Sequence, residues 1–296
     1  VSNTGNVVYL DGEFLPKGEA RVSVDDRGFL FADGVYEVTP AYRGHFFREH
    51  RHVARLQRGL AALRIDWDPA GLGAIHQELL ERNGIAGEEM SIVYLQVTRG
   101  AAPRSHAFPE PAVRPTVYAY ARAFRRPSPE RWEEGYTAIT TPDLRWARCD
   151  LKTVALLPCV MAQQAAVDAG AQDALLVRDG MALEGAHNNL FVVFGDTVVT
   201  HPASNQILHG ITREVVLEEA RGLGLPVEER AIPVEQLQCA SEVFFTGTTT
   251  EVRPTVRIDG KPVGSGKVGP IARRLQEAFL ARVQAETGVD ALAGVS

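Results

Sequence analysis

Short apolar runs, each closed by turn residues, are what most restrict the fold of this chain. Val7-Val8-Tyr9-Leu10 meets Phe14-Leu15 across Asp11-Gly12, and Asp-Gly supplies the positive φ angles of a two-residue hairpin turn. Val256-Arg257-Ile258 repeats the device across Asp259-Gly260. Between these hairpins, strands are expected at 35–39, 91–98, 116–123, 136–141, 174–178, 190–194, 198–201 and 243–246. Alternation puts Tyr36 and Val38 on one face of the first of these, with Val35 and Glu37 on the other. So many short strands favour a barrel-like second half over a doubly wound sheet.

Helices fill the gaps. Val53, Leu56, Leu60 and Leu63 recur at three- and four-residue spacing, so 49–65 reads as a helix with Arg55 flanking its apolar stripe. His50 and His52 lie two apart and point about 200° away from each other on a helix, which sets aside a metal pair. Further helices are expected at 69–83, 154–169, 212–223 and 270–286, with Val215, Val216, Glu219 and Leu223 in register on the third of these and the last residues frayed. The stretch 25–34 reads as a glycine-punctuated loop. The fold class is thus α+β, in two domains. The charged, proline-rich Arg122-Ala123-Phe124-Arg125-Arg126-Pro127 marks a linker, giving a small domain over 1–121, a linker over 122–127 and a larger domain over 128–296.

A length of 296 residues suits two domains, and a net charge of -6 gives no field for nucleic acid or anionic lipid. The Arg122–Arg126 cluster is explained by a solvated linker. No apolar run approaches the roughly 20 residues that span a membrane. The N-terminus carries neither a basic region nor an apolar core, so no secretory signal is expected. Cys149, Cys159 and Cys239 are odd in number and widely spaced, which suits a reducing cytoplasm and offers no metal site.

Lysine is scarce, four residues against 27 arginines. Lys17, Lys261 and Lys267 sit among turn residues, whereas Lys152 is followed by the apolar run Val154-Ala155-Leu156-Leu157. An ammonium that loses hydration beside apolar groups yields its neutral, nucleophilic form more readily, as a Schiff-base lysine requires. The alternative is a stem covering apolar surface with its head in water. Gly210 precedes a helix start whose free N–H groups favour an anion, or it is an ordinary N-cap with Glu214 in the first turn. Thr246-Gly247-Thr248-Thr249-Thr250 offers four hydroxyls to a phosphate, or forms a plain threonine-rich turn. Glu184 at a strand end could hold a proton on a pyridine nitrogen, or be solvated. Arg104 and His106 face the same way in an extended loop and could clamp a carboxylate, or be a polar loop tip.

In this order, Asp26-Arg27-Gly28, Asp33-Gly34-Val35-Tyr36-Glu37, Gln96-Val97-Thr98-Arg99-Gly100 with Pro103-Arg104-Ser105-His106, Arg148-Cys149-Asp150-Leu151-Lys152, Glu184-Gly185, His201-Pro202-Ala203 with Leu208-His209-Gly210-Ile211-Thr212-Arg213, and Thr248-Thr249 resemble the class IV pyridoxal-phosphate aminotransferases, most closely the bacterial D-amino-acid aminotransferases. The resemblance runs nearly the whole chain. It implies the two-domain fold of type IV pyridoxal-phosphate enzymes, with a small α/β N-terminal domain and a larger barrel-like C-terminal one. It also implies pyridoxal 5'-phosphate held by Lys152, with Glu184 on the pyridine nitrogen and Leu208 on the ring face. Arg55, Ile211, Thr212, Thr248 and Thr249 would hold the phosphate. Tyr36, Arg104 and His106 would trap a substrate carboxylate, Arg104 and His106 reaching across a homodimer. The implied reaction moves an amino group from a small-molecule donor such as D-alanine to a 2-oxo acid acceptor such as 2-oxoglutarate. An (R)-selective amine transaminase, an aminodeoxychorismate-lyase-like enzyme and a non-catalytic binding protein on the same fold are the alternatives. The chain departs from the pattern at Ala186-His187-Asn188-Asn189, where small hydroxyl residues are usual, and His187 can titrate.

Overall fold

The computed structural model describes residues 6–291. The fraying expected of the last residues, and most of the stretch on which the absence of a secretory signal was read, lie outside the described residues. Described residues up to Arg126, with Leu151–Ala155, form one compact unit; Pro127–Asp150 and the residues from Leu156 onward form the other.

The first unit contains β1 (Val7–Leu10), β2 (Glu13–Pro16), α1 (Arg27–Phe31), β3 (Gly34–Tyr42), β4 (His45–Phe46), α2 (Glu49–Leu63), α3 (Leu72–Arg82), β5 (Met90–Thr98) and β6 (Thr116–Ala123). Its sheet has the order β2-β1-β6-β5-β3-β4, and each neighbouring pair runs antiparallel. The expected Asp11-Gly12 turn is present, with both residues at positive φ. Leu56, Leu60, Leu79 and Leu80 of the helices pack with Val93, Leu95 and Val97 of β5. The opposite alternation of β3, β5 and β6 carries a row of tyrosines, Tyr36 on Tyr94 and Tyr94 on Tyr120, with ring centroids 5.6 and 5.2 Å apart.

The second unit contains α4 (Pro129–Glu134), β7 (Tyr136–Pro142), α5 (Leu157–Asp168), β8 (Asp173–Arg178), β9 (Met181–Gly185), β10 (Asn189–Phe194), β11 (Thr197–Thr200), α6 (Ile211–Gly222), β12 (Val227–Glu229), β13 (Ile232–Pro233), a 3-10 turn (Val234–Cys239), β14 (Glu242–Gly247), β15 (Glu251–Ile258), β16 (Lys261–Pro262) and α7 (Pro270–Thr287). Strands β10-β14-β15-β7-β8-β9 follow one another, and β9 returns to β10, so six strands close a barrel. The remaining strands extend it from β10, β9 and β15. Leu190 and Phe245 pair into one core cluster, while Phe191 and Phe244, one residue out of phase, stack with ring centroids 5.1 Å apart. Both faces of β10 and β14 are therefore buried, which is why their sequences are continuous apolar runs and not alternating ones.

Several expectations change. The loop at 25–34 holds α1, capped by the Asp26 side chain, which accepts from the Gly28 N–H. The helix expected at 154–169 starts at Leu157. Lys152 and Val154 are instead tied to β3, the Lys152 carbonyl accepting from Tyr36 N at 3.0 Å and Val154 N donating to Gly34 O at 3.1 Å. A tertiary pairing outweighs local helix propensity there. Residues Leu151–Ala155 consequently belong to the first unit and not to the stretch 128–296. Leu223 is exposed at the end of α6. Helix α4, strands β12 and β13 and the 3-10 turn were not expected. No helix among the described residues is long and apolar enough to cross a membrane.

Phe245 is fully buried. Phe245→Ala is expected to lower the unfolding free energy by about 3–5 kcal/mol in urea denaturation, the cost of a cavity in a packed core.

Candidate active site

In the first unit, Lys152 projects its Nζ to 4.2 Å from the centroid of the Tyr36 ring. Of the apolar run that follows it, Leu157 is exposed. The partner is the aromatic face of Tyr36, brought there by the pairing of Thr153 with Val35.

One residue on, Glu37 takes the face opposite Tyr36, as alternation required, and that face is buried. A carboxylate there needs partners. Arg55 supplies two bonds, Nε to Oε1 at 2.7 Å and Nη2 to Oε2 at 2.8 Å, and His52 Nδ1 meets Oε2 at 2.9 Å. Burial alone would raise the Glu37 pKa; the charge and bonds of Arg55 and the contact with His52 outweigh it and hold the carboxyl far below its ordinary value. Burial lowers the His52 pKa. Arg55 therefore lies on the buried stripe of α2 beside Leu56, not at its flank, and Glu37 fixes the plane of its guanidinium.

In the second unit, Glu184 is almost wholly buried, so the solvated alternative fails. Arg145 Nη1 donates to its Oε1, Asn189 Nδ2 donates to Oε2 at 2.7 Å, and the Leu208 N–H reaches both oxygens at 3.1 and 3.2 Å. Burial raises its pKa, and although Arg145 and the Leu208 amide oppose this, the value is pushed up to about 7. Arg145 is itself fixed by Asp143, Nε to Oδ1 at 2.8 Å and Nη2 to Oδ2 at 3.0 Å. Asn189 Nδ2 also donates to Leu208 O at 2.8 Å, tying the strand that carries the carboxylate's neighbour to the turn before α6.

That turn leads to Gly210, the N-cap of α6, which no side chain caps. A Cβ on Gly210 would overlap Asn189 Oδ1, so only glycine fits. The first-turn N–H groups of Ile211 and Thr212 thus form a helix N-terminus of the anion-binding kind. Of the four threonine hydroxyls expected to line a phosphate, those of Thr246, in β14, and Thr250, in the turn after it, belong to buried residues. Thr248 and Thr249 are half-buried in the turn between β14 and β15. His187 is exposed and not a core histidine, with Nε2 4.0 Å from Asp173 Oδ1.

The loop after β5 carries Arg104 and His106 on the surface of the first unit. The Arg104 guanidinium lies 5.2 Å and the His106 ring 5.6 Å from the Phe31 ring. Structure thus groups Tyr36 with Lys152, Arg55 with Glu37, Arg104 with His106, and Glu184 with Leu208. Glu37, His52, Asp143, Arg145 and Asn189 went unremarked as site residues in the sequence. Glu37 had a signal, an acid alternating onto an apolar face; the Asp143-Leu144-Arg145 coil had none. Among the described residues, no group of three or more His, Cys, Asp or Glu is placed to hold a metal ion.

Residues 34–258 match the amino-transferase class IV family, and the chain belongs to it. It is 40% identical over 274 residues to the D-alanine aminotransferase of Staphylococcus haemolyticus, covering 92% of this chain and 96% of that one. It is also 40% identical over 282 residues to the D-alanine aminotransferase of Bacillus licheniformis, covering 95% and 98%. Among solved structures, the branched-chain aminotransferase of the thermophilic archaeon Thermoproteus uzoniensis with norvaline superposes with a TM-score of 0.84 at 27% identity, covering 98% of each chain. The branched-chain amino acid aminotransferase of Escherichia coli gives a TM-score of 0.88 at 25% identity over 96% of each chain.

The two glutamates have opposite pH signatures. The folded pKa of Glu184 lies above its ordinary value of 4.5, so its contribution to stability is complete below that pH and is lost as pH rises to about 7. Relative to Glu184→Gln, the ligand-free wild type is expected to lose about 3 kcal/mol of unfolding free energy across that window and then level off. Glu37, held low, contributes above 4.5 and loses its contribution as pH falls below that value. Denaturation series at stepped pH check both signs.

Proposed function

We propose that the chain catalyses transamination between D-amino acids and 2-oxo acids with pyridoxal 5'-phosphate, D-alanine and 2-oxoglutarate being the expected pair. The observation that carries this reading is the 40% identity with D-alanine aminotransferases over more than nine tenths of the chain. The donor set fits the cofactor: an amine for its aldehyde, a buried carboxylate with a raised pKa for its ring nitrogen, and a helix N-terminus that no side chain caps for its phosphate.

Lys152 would hold pyridoxal phosphate, which would supply an electron sink for the donor Cα. Each remaining task falls to the chain's own groups. Lys152 Nζ would also act as the base that takes the donor Cα proton and as the acid that returns it. Glu184 holds the proton on the ring nitrogen, with Arg145 and Asn189 fixing the carboxylate. Ile211 and Thr212 N–H, Thr248, Thr249 and Arg55 bind the phosphate, Arg55 in the plane that Glu37 sets. Leu208, whose amide is committed to Glu184, would pack on the ring. Tyr36, Arg104 and His106 receive the substrate carboxylate, the last two supplied by the second subunit of a homodimer. The three cysteines are free, which suits a cytoplasmic enzyme.

Lys152→Ala is expected to fold and to lose transamination altogether. In the wild type the yellow absorbance should bleach with D-alanine and not with L-alanine. Bleaching by an L-amino acid alone would overturn the handedness, and a protein that stays colourless with added cofactor would overturn the reaction.

Arg104→Ala removes a charge-assisted contact to the carboxylate. KM for D-alanine is expected to rise about tenfold to a hundredfold with a much smaller change in kcat. Steady-state kinetics against D-alanine and an uncharged (R)-amine check this, because the amine should be little affected.

A further inference from the structure

Arg104 and His106 are both exposed, and neither is ion-paired among the described residues. Long exposed cations wander, so a loop meant to receive a carboxylate must be aimed by something else. The first unit shows what holds it. Asp33 accepts from two guanidiniums: Arg27 Nε at 2.9 Å, and Arg99 Nε and Nη2 at 2.7 and 2.9 Å. Arg99 donates in addition to the carbonyls of Leu63 and Arg64, the negative end of α2, at 2.8 and 3.1 Å. Its guanidinium lies 3.5 Å from the centre of the Phe108 ring, which fixes the far end of the loop. Arg27 Nη1 donates to Ser105 O at 2.6 Å, the carbonyl between the two cationic residues. At the root of the loop, Arg27 N donates to Gly100 O and Ala102 N to Asp25 O, at 3.0 and 3.2 Å.

The remaining support is aromatic. Phe31, the last residue of α1, meets Arg27, Arg104 and His106 at once; the Arg27 guanidinium is 4.8 Å from its ring. One ring face and edge thus set the spacing of the two groups that flank Ser105. A single carboxylate between two arginines also leaves net positive charge beneath the loop, favourable to an incoming anion.

We propose that Phe31 and the Arg27–Asp33–Arg99 cluster are positioning residues for carboxylate recognition, holding Arg104 and His106 at a fixed separation on the loop after β5. The inference rests on the transaminase reading above. None of these four residues touches the reacting atoms in that reading; they act through the loop.

The test uses the cofactor-loaded enzyme and three variants. Phe31→Leu keeps apolar bulk and removes the ring. Arg27→Lys keeps the charge but cannot bridge Asp33 and Ser105 O with one planar fork. Phe31→Tyr restores a ring. For the first two, KM for D-alanine is expected to rise about threefold to thirtyfold with kcat within about twofold, while Phe31→Tyr stays near the wild type. Isobutyrate, a carboxylate without an amine, should weaken by the same factor as an inhibitor. Unmoved KM and inhibition in both altered variants, with the wild type active, overturn this inference alone. So does a loss of kcat with a lowered thermal midpoint, which marks a structural role. A wild type idle on D-alanine overturns the transaminase reading, and the inference falls with it.

Discussion

The closure of the barrel between β9 and β10 is the constraint on which the second unit depends. Those strands meet at one register pair, Glu184 opposite Asn189, with the four-residue turn between them drawn tight by Gly185 N donating to Asn188 O at 2.7 Å. A side chain on Gly185 would overlap Asn188 Oδ1. The seam that closes the six strands therefore also buries a carboxylate. Here the charge is compensated by Arg145 from the coil after β7, Asn189 from the partner strand and the amide of Leu208.

One consequence is that the elements assigned to ring nitrogen and phosphate are not independent. Asn189 bonds both Glu184 and Leu208 O, and its Oδ1 fills the space that would be a Cβ on Gly210. The helix N-terminus is thus placed by the same amide that orients the carboxylate. Asp143, buried by β8 and bonded to Arg145 and Arg178, extends the network and keeps the guanidinium from turning away. Its burial would raise its pKa, but Arg145 and Arg178 override this and hold it low.

The first unit applies similar physics with the opposite result. Glu184 has one guanidinium that is shared with Asp143, and burial prevails. Glu37 has Arg55 in a two-pronged grip with His52 beside it, and stays ionised. One glutamate is thereby poised to exchange a proton near neutral pH, the other to orient a cation. Lys152 belongs to this unit because residues 151–155 pair with β3, while the helix expected from 154 starts only at Leu157. The pairing puts the lysine against Tyr36, the first of a row of stacked tyrosines.

By itself the sequence determined much. Apolar periodicity and Asp-Gly turns located most strands and the main helices, because these signals are local. Spaced motifs named the family, and singled out Lys152, Glu184, Gly210 and the Arg104–His106 loop. Alternation separated Glu37 from Tyr36, and the structure showed that the face of Glu37 is the buried one. Tertiary structure alone decided that Glu184 sits at a barrel seam, that Arg145 and Asn189 hold it, that Arg55 answers Glu37, and that Phe31 faces Arg27, Arg104 and His106. Nearly all of these are meetings of residues far apart in the chain or on different elements; Arg27 and Phe31, both in α1, are the exception. A side chain's surroundings depend on strand register and on which elements pack together, and neither is encoded in the spacing of residue types along one segment.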